Sequence, residues 1–336
     1  MKRLYVPKGY KSKQDLITTE KAIKFVKDNF EKALSEKLSL IRVSAPILVF
    51  SNTGLNDDLN GVERAVRFDV KELDGKNAEI VHSLAKWKRT ALKKYGFTTG
   101  TGLYTDMNAI RRDDDLDNIH SIYVDQWDWE RIIDRKDRTI EYLKNTVQDI
   151  VDVIYEVNEK TKALFPELTL KMTKEVTFVT TLEAEEMFPD KTPKERETAL
   201  TKKYGSVFLM QIGKKLKNGE PHDGRAPDYD DWDLNGDILL YNEILDCSFE
   251  VSSMGIRVDE KSLISQLEER NKTERLAFPY HKQVLNGELP LTIGGGIGQS
   301  RICMFILQKA HIGEVQVSLW PDGLEEEAEK YGIHIL

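Results

Sequence analysis

Cysteine is nearly absent: Cys247 and Cys303 are the only two in 336 residues. They show neither CxxC spacing nor the density of a disulfide scaffold, which points to a reducing compartment. No run approaches the ~20 apolar residues that cross a bilayer, so no membrane partner is expected. The stretch from Met1 to Lys8 is basic but has no apolar centre, so it is not expected to act as a secretory leader. An excess of positive charge is missing too. Lys and Arg number 49 against 57 Asp and Glu, a net charge of −8. Proteins that grip nucleic acid over a broad face are normally basic, so no nucleic-acid partner is expected. A few clustered arginines still suffice for a small anion. The expected location is the cytoplasm.

What is present is material for a core. Apolar residues make up 40%, which excludes global disorder. At ~150 residues per domain the length suggests two domains, unless one large sheet absorbs it all. Ile23, Val26, Phe30 and Leu34 recur at helical spacing within residues 20–38. The run from Leu40 to Phe50 reads as a strand, at an edge or interface because Pro46 cannot donate to a ladder. Residues 51–61 are turn-rich and read as a loop. The basic segment from His82 to Lys94 reads as a helix with Leu84, Trp87, Ala91 and Tyr95 on one face and mostly solvated cations on the other.

His120 to Trp129 alternates with period two. Ile122, Val124, Gln126 and Asp128 share one face, so the strand is predicted to run from the core into a site. Thr192, Pro193 and Glu195 form a helix start with a capping box. A polar segment at 216–237 precedes Asn235-Gly236, which is expected to open a hairpin reaching Ser253. Without repeats or a low-complexity linker, the predicted fold is one largely antiparallel α+β domain spanning residues 1–336.

Three features carry chemistry. Gly294, Gly296 and Gly298 alternate on one strand face and leave the backbone open to a flat ligand, with Arg301 following at a helix start. Neither a Walker loop nor a GxGxxG fingerprint is present, so a nucleotide site needs another architecture. Arg111 and Arg112 precede the 120–129 strand and can fork onto phosphate. Asp237 and Glu250 are paired carboxylates of the type that holds Mg²⁺ beside phosphates.

In this order the features resemble the catalytic core of class II aminoacyl-tRNA synthetases. Motif 1 is matched by residues 20–46 ending at Pro46, motif 2 by Arg111 to Glu130, and motif 3 by the alternating glycines with Arg301. The blocks His82 to Arg89, Tyr123 to Glu130, Arg225 to Trp232, Leu234 to Ile238, Ser252 to Arg257 and Thr292 to Arg301 resemble, more closely, the ammonia-dependent aspartate–ammonia ligase family. That resemblance implies ATP and Mg²⁺, L-aspartate and ammonia as substrates, β-aspartyl-AMP as intermediate, and a homodimer built on the motif 1 region. It implies ATP contacts from Arg111, Gly294, Gly296, Gly298 and Arg301, and a metal on Asp237 and Glu250.

For aspartate, Asp128 with Ser252 or Ser253 is expected at the α-ammonium, and Lys88 or Arg225 at the α-carboxylate, with Asp230 in the same pocket. Asp57 is the expected base for ammonium and Gln126 the group orienting the acyl centre; Asp57 and Asp128 could exchange roles. The alternatives are an aspartyl- or asparaginyl-tRNA synthetase-like enzyme and a non-catalytic regulatory paralogue. The first is disfavoured because motif 1 begins at residue 20, so no anticodon-binding barrel is expected ahead of it, and because the net charge is negative. The second is disfavoured because every motif arginine and carboxylate is present.

Overall fold

The computed structural model describes residues 4–56, 59 and 63–336. Asp57, the expected ammonium base, lies outside the described residues. The strands are β1 (Leu40–Arg42), β2 (Leu48–Phe50), β3 (Arg67–Asp69), β4 (Asn77–Ile80), β5 (Gly102–Ile110), β6 (Tyr123–Ile132), β7 (Thr177–Thr180), β8 (Ser206–Met210), β9 (Asp230–Asn242), β10 (Cys247–Arg257) and β11 (Thr292–Gly298). The helices used below are α1 (Leu16–Leu38), α2 (Ala85–Tyr95), α3 (Ile140–Leu164), α4 (Thr181–Met187), α5 (Pro193–Tyr204), α6 (Glu260–Glu269), α7 (Pro279–Leu285) and α8 (Gln299–Ile306).

Among the described residues, eight strands form one sheet in the order β1-β5-β6-β11-β10-β9-β8-β7, and β2-β4-β3 form a small second sheet. β1 with β5 and β7 with β8 are parallel; the strands between them pair antiparallel. The mixed α+β architecture with a mainly antiparallel sheet therefore agrees with expectation. One face of the sheet is sealed by α1, α3 and α8, which pack on one another. Phe30 of α1 stacks on Trp127 of β6 at 4.4 Å, and both are fully buried. Burying such side chains contributes about 1.5–3 kcal/mol each. Because side chains alternate along β6, sealing Trp127 on this face turns Gln126 and Asp128 to the other, where the site lies.

The α5 start has the expected capping box. Thr192 N donates to Glu195 Oε2 at 2.8 Å, and Glu195 N returns a bond to Thr192 Oγ1 at 3.4 Å. Three local expectations fail for identifiable reasons. The run from Leu40 to Phe50 is two strands in two sheets, since the chain leaves β5 after Val43 and Pro46 falls in the irregular crossing. Asn235-Gly236 is no turn but the middle of β9. There Asn235 brackets Ile212 with two 2.9 Å hydrogen bonds, and a Cβ at Gly236 would meet the Leu209 carbonyl at 2.3 Å. The actual β9–β10 turn is organised by Asn242 Oδ1, which accepts from Ile244 N and Leu245 N at 3.0 and 3.1 Å. On α2, Lys86, Lys88 and Arg89 are buried, while Lys93, Lys94 and Tyr95 face solvent.

Candidate active site

Strand register assembles the site. Asp128 on β6 is opposite Gly296 on β11, Gly296 is opposite Ser253 on β10, and Ser253 is opposite Asp237 on β9. Partners across a sheet share a face, so these positions form one row. Two cavities open along it. The larger, 460 Å³, is lined by Glu250, Ser252, Gly298 and Arg301; the smaller, 70 Å³, by Lys88, Asp128, Tyr229, Asp230, Ser253 and Arg257. Arg111, Gln126 and Gly296 line both.

The small cavity is walled by buried charges. Lys88 Nζ stands 3.1 Å from Asp128 and 2.9 Å from the Gly295 carbonyl oxygen. Burial draws the Lys88 ammonium below its usual pKa, against the pull of Asp128. Arg257 donates from Nε to Glu130 Oε1 at 3.0 Å and from Nη2 to Oε2 at 2.8 Å, and it also pairs with Asp230. Thr292 Oγ1 adds a 2.6 Å bond to the same carboxylate. Burial would lift the Glu130 pKa, but the guanidinium overrides it and holds Glu130 ionised. Asp230 Oδ2, Ser252 Oγ and Arg111 Nε are buried without partners among the described residues. A buried polar atom left unsatisfied costs about 1–3 kcal/mol, so these three suit a polar, partly anionic ligand spanning both cavities.

Asp237 and Glu250 share the sheet face with Ser253. Burial, followed by repulsion from Glu250, lifts the Asp237 pKa to about 6 despite Arg225. Glu250 is held low, because Arg301 and Lys194 outweigh its burial. Mg²⁺ is commonly held by one or two carboxylates plus phosphate oxygens and water, and two mutually repelling carboxylates fit that requirement. No group of three or more His, Cys, Asp or Glu poised for a metal occurs among the described residues. A site complete without phosphates is therefore not what this face offers.

The profile of the family described as aspartate-ammonia ligase matches residues 17–332. The chain belongs to the aspartate–ammonia ligase family. It is 57% identical over 336 residues to the aspartate–ammonia ligase of Ruminiclostridium cellulolyticum, covering all of both chains. Identity to that of Clostridium tetani is 59% over 334 residues, 99% of this chain and 98% of the relative. Among solved structures, an asparaginyl-tRNA synthetase from Pyrococcus horikoshii complexed with asparaginyl-adenylate superposes with a TM-score of 0.66 at 16% identity, over 90% of this chain and 70% of that one. The asparaginyl-tRNA synthetase of Entamoeba histolytica also scores 0.66, at 14% identity, over 90% and 67%. The fold is that of class II aminoacyl-tRNA synthetases.

Within this ligase fold, Lys88, Arg111, Gln126, Asp128, Asp230, Ser252, Ser253, Gly296, Gly298, Glu250 and Arg301 converge on the two cavities. Three expected residues, Gly294, Arg225 and Asp237, line neither cavity. Gly294 does not open onto the larger cavity, because the Glu130 carboxylate fills the space where its Cβ would be. Arg225 lines neither cavity: it donates to Asp237 at 2.6 Å and to Ser253 Oγ. Two residues were not anticipated, Glu130 and Arg257. The alternation that placed Gln126 and Asp128 on one face places Glu130 there too, which was the available signal. Arg257 closes the Ser252 to Arg257 block with no such pattern of its own, since a register shift between Gly255 and Arg257 interrupts the alternation.

Proposed function

We propose that this member of the ligase family activates the β-carboxylate of L-aspartate with ATP, giving β-aspartyl-AMP and pyrophosphate, and that ammonia then displaces AMP to leave L-asparagine. The observation that carries this mechanism is the sharing of Arg111, Gln126 and Gly296 by both cavities. An α-phosphate in the larger cavity and a β-carboxylate in the smaller one meet at these residues.

Arg111 neutralises the charge that develops as carboxylate oxygen attacks phosphorus, its unpartnered Nε facing the incoming anion. Arg301 takes the γ-phosphate and then pyrophosphate. The α-ammonium of aspartate goes to Asp230 Oδ2 and Asp128, with Ser253 beside them, and the α-carboxylate to Lys88. Gln126 orients the acyl group. Mg²⁺ held by Asp237 and Glu250 would neutralise the charge on the phosphates. The chain is proposed to act as one catalytic unit over residues 1–336 and to be cytoplasmic. Among the described residues no helix is long and apolar enough to cross a membrane. A homodimer through the motif 1 region is supported by exposed apolar side chains in it and just after it: Ile41 is 63% exposed and Ile47 52%.

Incubation with aspartate, an ammonium salt, ATP and Mg²⁺ is expected to yield asparagine and AMP. Aspartate should support exchange of pyrophosphate into ATP without ammonium. Formation of ADP, or absence of exchange, would reject the adenylate mechanism.

A further inference from the structure

The helix that carries Arg301 begins without a cap of its own. The residue ahead of α8 is Gly298, which has no side chain to accept from the free N–H groups of the first turn. Gly298 also lines the larger cavity, and a Cβ on it would stand 3.0 Å from Arg301 Cβ. An open strand face and a helix cap therefore compete for one position. The first turn, Gln299-Ser300-Arg301, holds no acidic residue, and it places a cation at the end of the helix where the dipole disfavours one.

The cap comes instead from the neighbouring strand. Gly298 on β11 is opposite Gln126 on β6, and Asp125 is the residue beside Gln126. Ser300 N donates to Asp125 Oδ1 at 3.0 Å, and Ser300 Oγ donates to Oδ2 at 2.8 Å. Lys27 Nζ on α1 donates to Oδ2 at 3.0 Å. Gln316 Nε2 donates to Oδ1 at 3.3 Å and to Ser300 Oγ at 3.0 Å, which closes the cluster.

Asp125 is buried, and four accepted bonds use about the four lone-pair sites a carboxylate has. Little is left for a ligand, although the residue borders the larger cavity. Alternation turns Asp125 with Trp127 toward the helix-covered face, away from Gln126. Its contribution to the site must pass through what it holds. The Arg301 side chain makes lighter contacts: Nη1 donates to the Glu250 carbonyl oxygen at 2.8 Å, and the guanidinium lies 5.9 Å from the Phe249 ring centre. Its backbone is fixed one residue earlier, at Ser300.

We propose that Asp125 is the positioning residue for Arg301: by capping α8 from β6, it fixes the backbone from which that side chain reaches the triphosphate. The proposal rests on the reading above in which Arg301 takes the γ-phosphate. It adds that the arginine is held in register with Gln126 by a carboxylate that never meets the substrate, and that Lys27 ties the same carboxylate to α1.

Titration calorimetry of the full chain with ATP and with AMP, with Mg²⁺ and without aspartate, tests this. AMP lacks the phosphates assigned to Arg301. Asp125→Asn keeps the shape but removes the charge and one acceptor. It is expected to raise the Kd for ATP about tenfold, the equivalent of a lost helix cap. The Kd for AMP should not change. In an Arg301→Ala background, Asp125→Asn should add nothing further, because it acts only through that side chain. Equal weakening of ATP and AMP, a rise that repeats in the Arg301→Ala background, or an unchanged Kd for ATP would each overturn the proposal. Should Asp125→Asn not fold, Ser300→Ala cuts one tie and leaves Lys27 paired. It should weaken ATP alone, by about fivefold, as for one lost hydrogen bond. No weakening, or weakening shared by AMP, overturns the proposal. If Arg301→Ala itself leaves the preference for ATP over AMP intact, the γ-phosphate reading of Arg301 falls, and the role of Asp125 with it.

Discussion

Gly294 and Glu130 are partners on neighbouring strands, and the carboxylate occupies the space a side chain at 294 would need: a Cβ there would lie 2.1 Å from Glu130 Oε2. The backbone on the far side gives no relief, since the Trp129 carbonyl oxygen is 2.6 Å away. Gly294→Ala is expected to push Glu130 off Arg257. Overpacking of this kind costs about 1–3 kcal/mol, and a buried guanidinium losing its partner costs more. Thermal denaturation should show a lower Tm, with the KM for aspartate raised more than that for ATP. An unchanged Tm would mean that Glu130 can move freely.

Arg111 separates binding from chemistry. Arg111→Ala should lower the kcat of pyrophosphate exchange by about 10²-fold or more, as for removal of a transition-state donor. Arg111→Lys keeps the charge but not the planar fork and should fall between. A kcat equal to that of the unaltered enzyme would place the α-phosphate elsewhere.

The carboxylate pair on β9 and β10 predicts a metal requirement. Chelation by EDTA should abolish exchange, and excess Mg²⁺ should restore it. Glu250→Gln removes one ligand and should raise the Mg²⁺ concentration giving half-maximal activity. Titration of activity against Mg²⁺ reads this directly, and coincident curves for the two proteins would exclude Glu250 as a ligand.

His311 makes acid stability a local matter. It is fully buried, its Nδ1 accepts from Gly313 N at 3.0 Å, and its ring meets Trp320 edge-on at 4.8 Å. Burial lowers its pKa from 6.5 to about 4. Between those values the unfolded chain binds a proton that the fold refuses. The contribution is therefore present above pH 6.5 and is lost as pH falls toward 4, amounting to about 3 kcal/mol at roughly 1.4 kcal/mol per pKa unit. His311→Gln should lose less Tm than the unaltered protein between pH 7 and 4.5. Parallel losses would contradict this.

Much of the site was readable because strands alternate. Gly296 and Gly298 with Arg301, and Gln126 with Asp128, follow from period two alone. Glu130 obeys the same rule and could have been found. The buried cations of α2 could not. Lysines five to eight residues from exposed ones look solvated, and Lys86 and Lys88 are drawn inward by carboxylates far along the chain, Asp228 and Asp128. Asn235-Gly236 misled for a related reason: the dipeptide favours a tight turn locally, but pairing with β8 and β10 on both sides overrides it. Distant partners decided each case where local pattern failed.

The row Asp128, Gly296, Ser253 and Asp237 is also a ruler. Neighbouring strands are held about 4.8 Å apart by their hydrogen bonds, so three steps span about 14 Å. On the proposed roles, the distance between the residue that meets the amino acid's nitrogen and the carboxylate proposed to hold the metal is set mainly by this backbone spacing. A ligand one atom longer between those ends meets a gauge that only a change of strand order could lengthen.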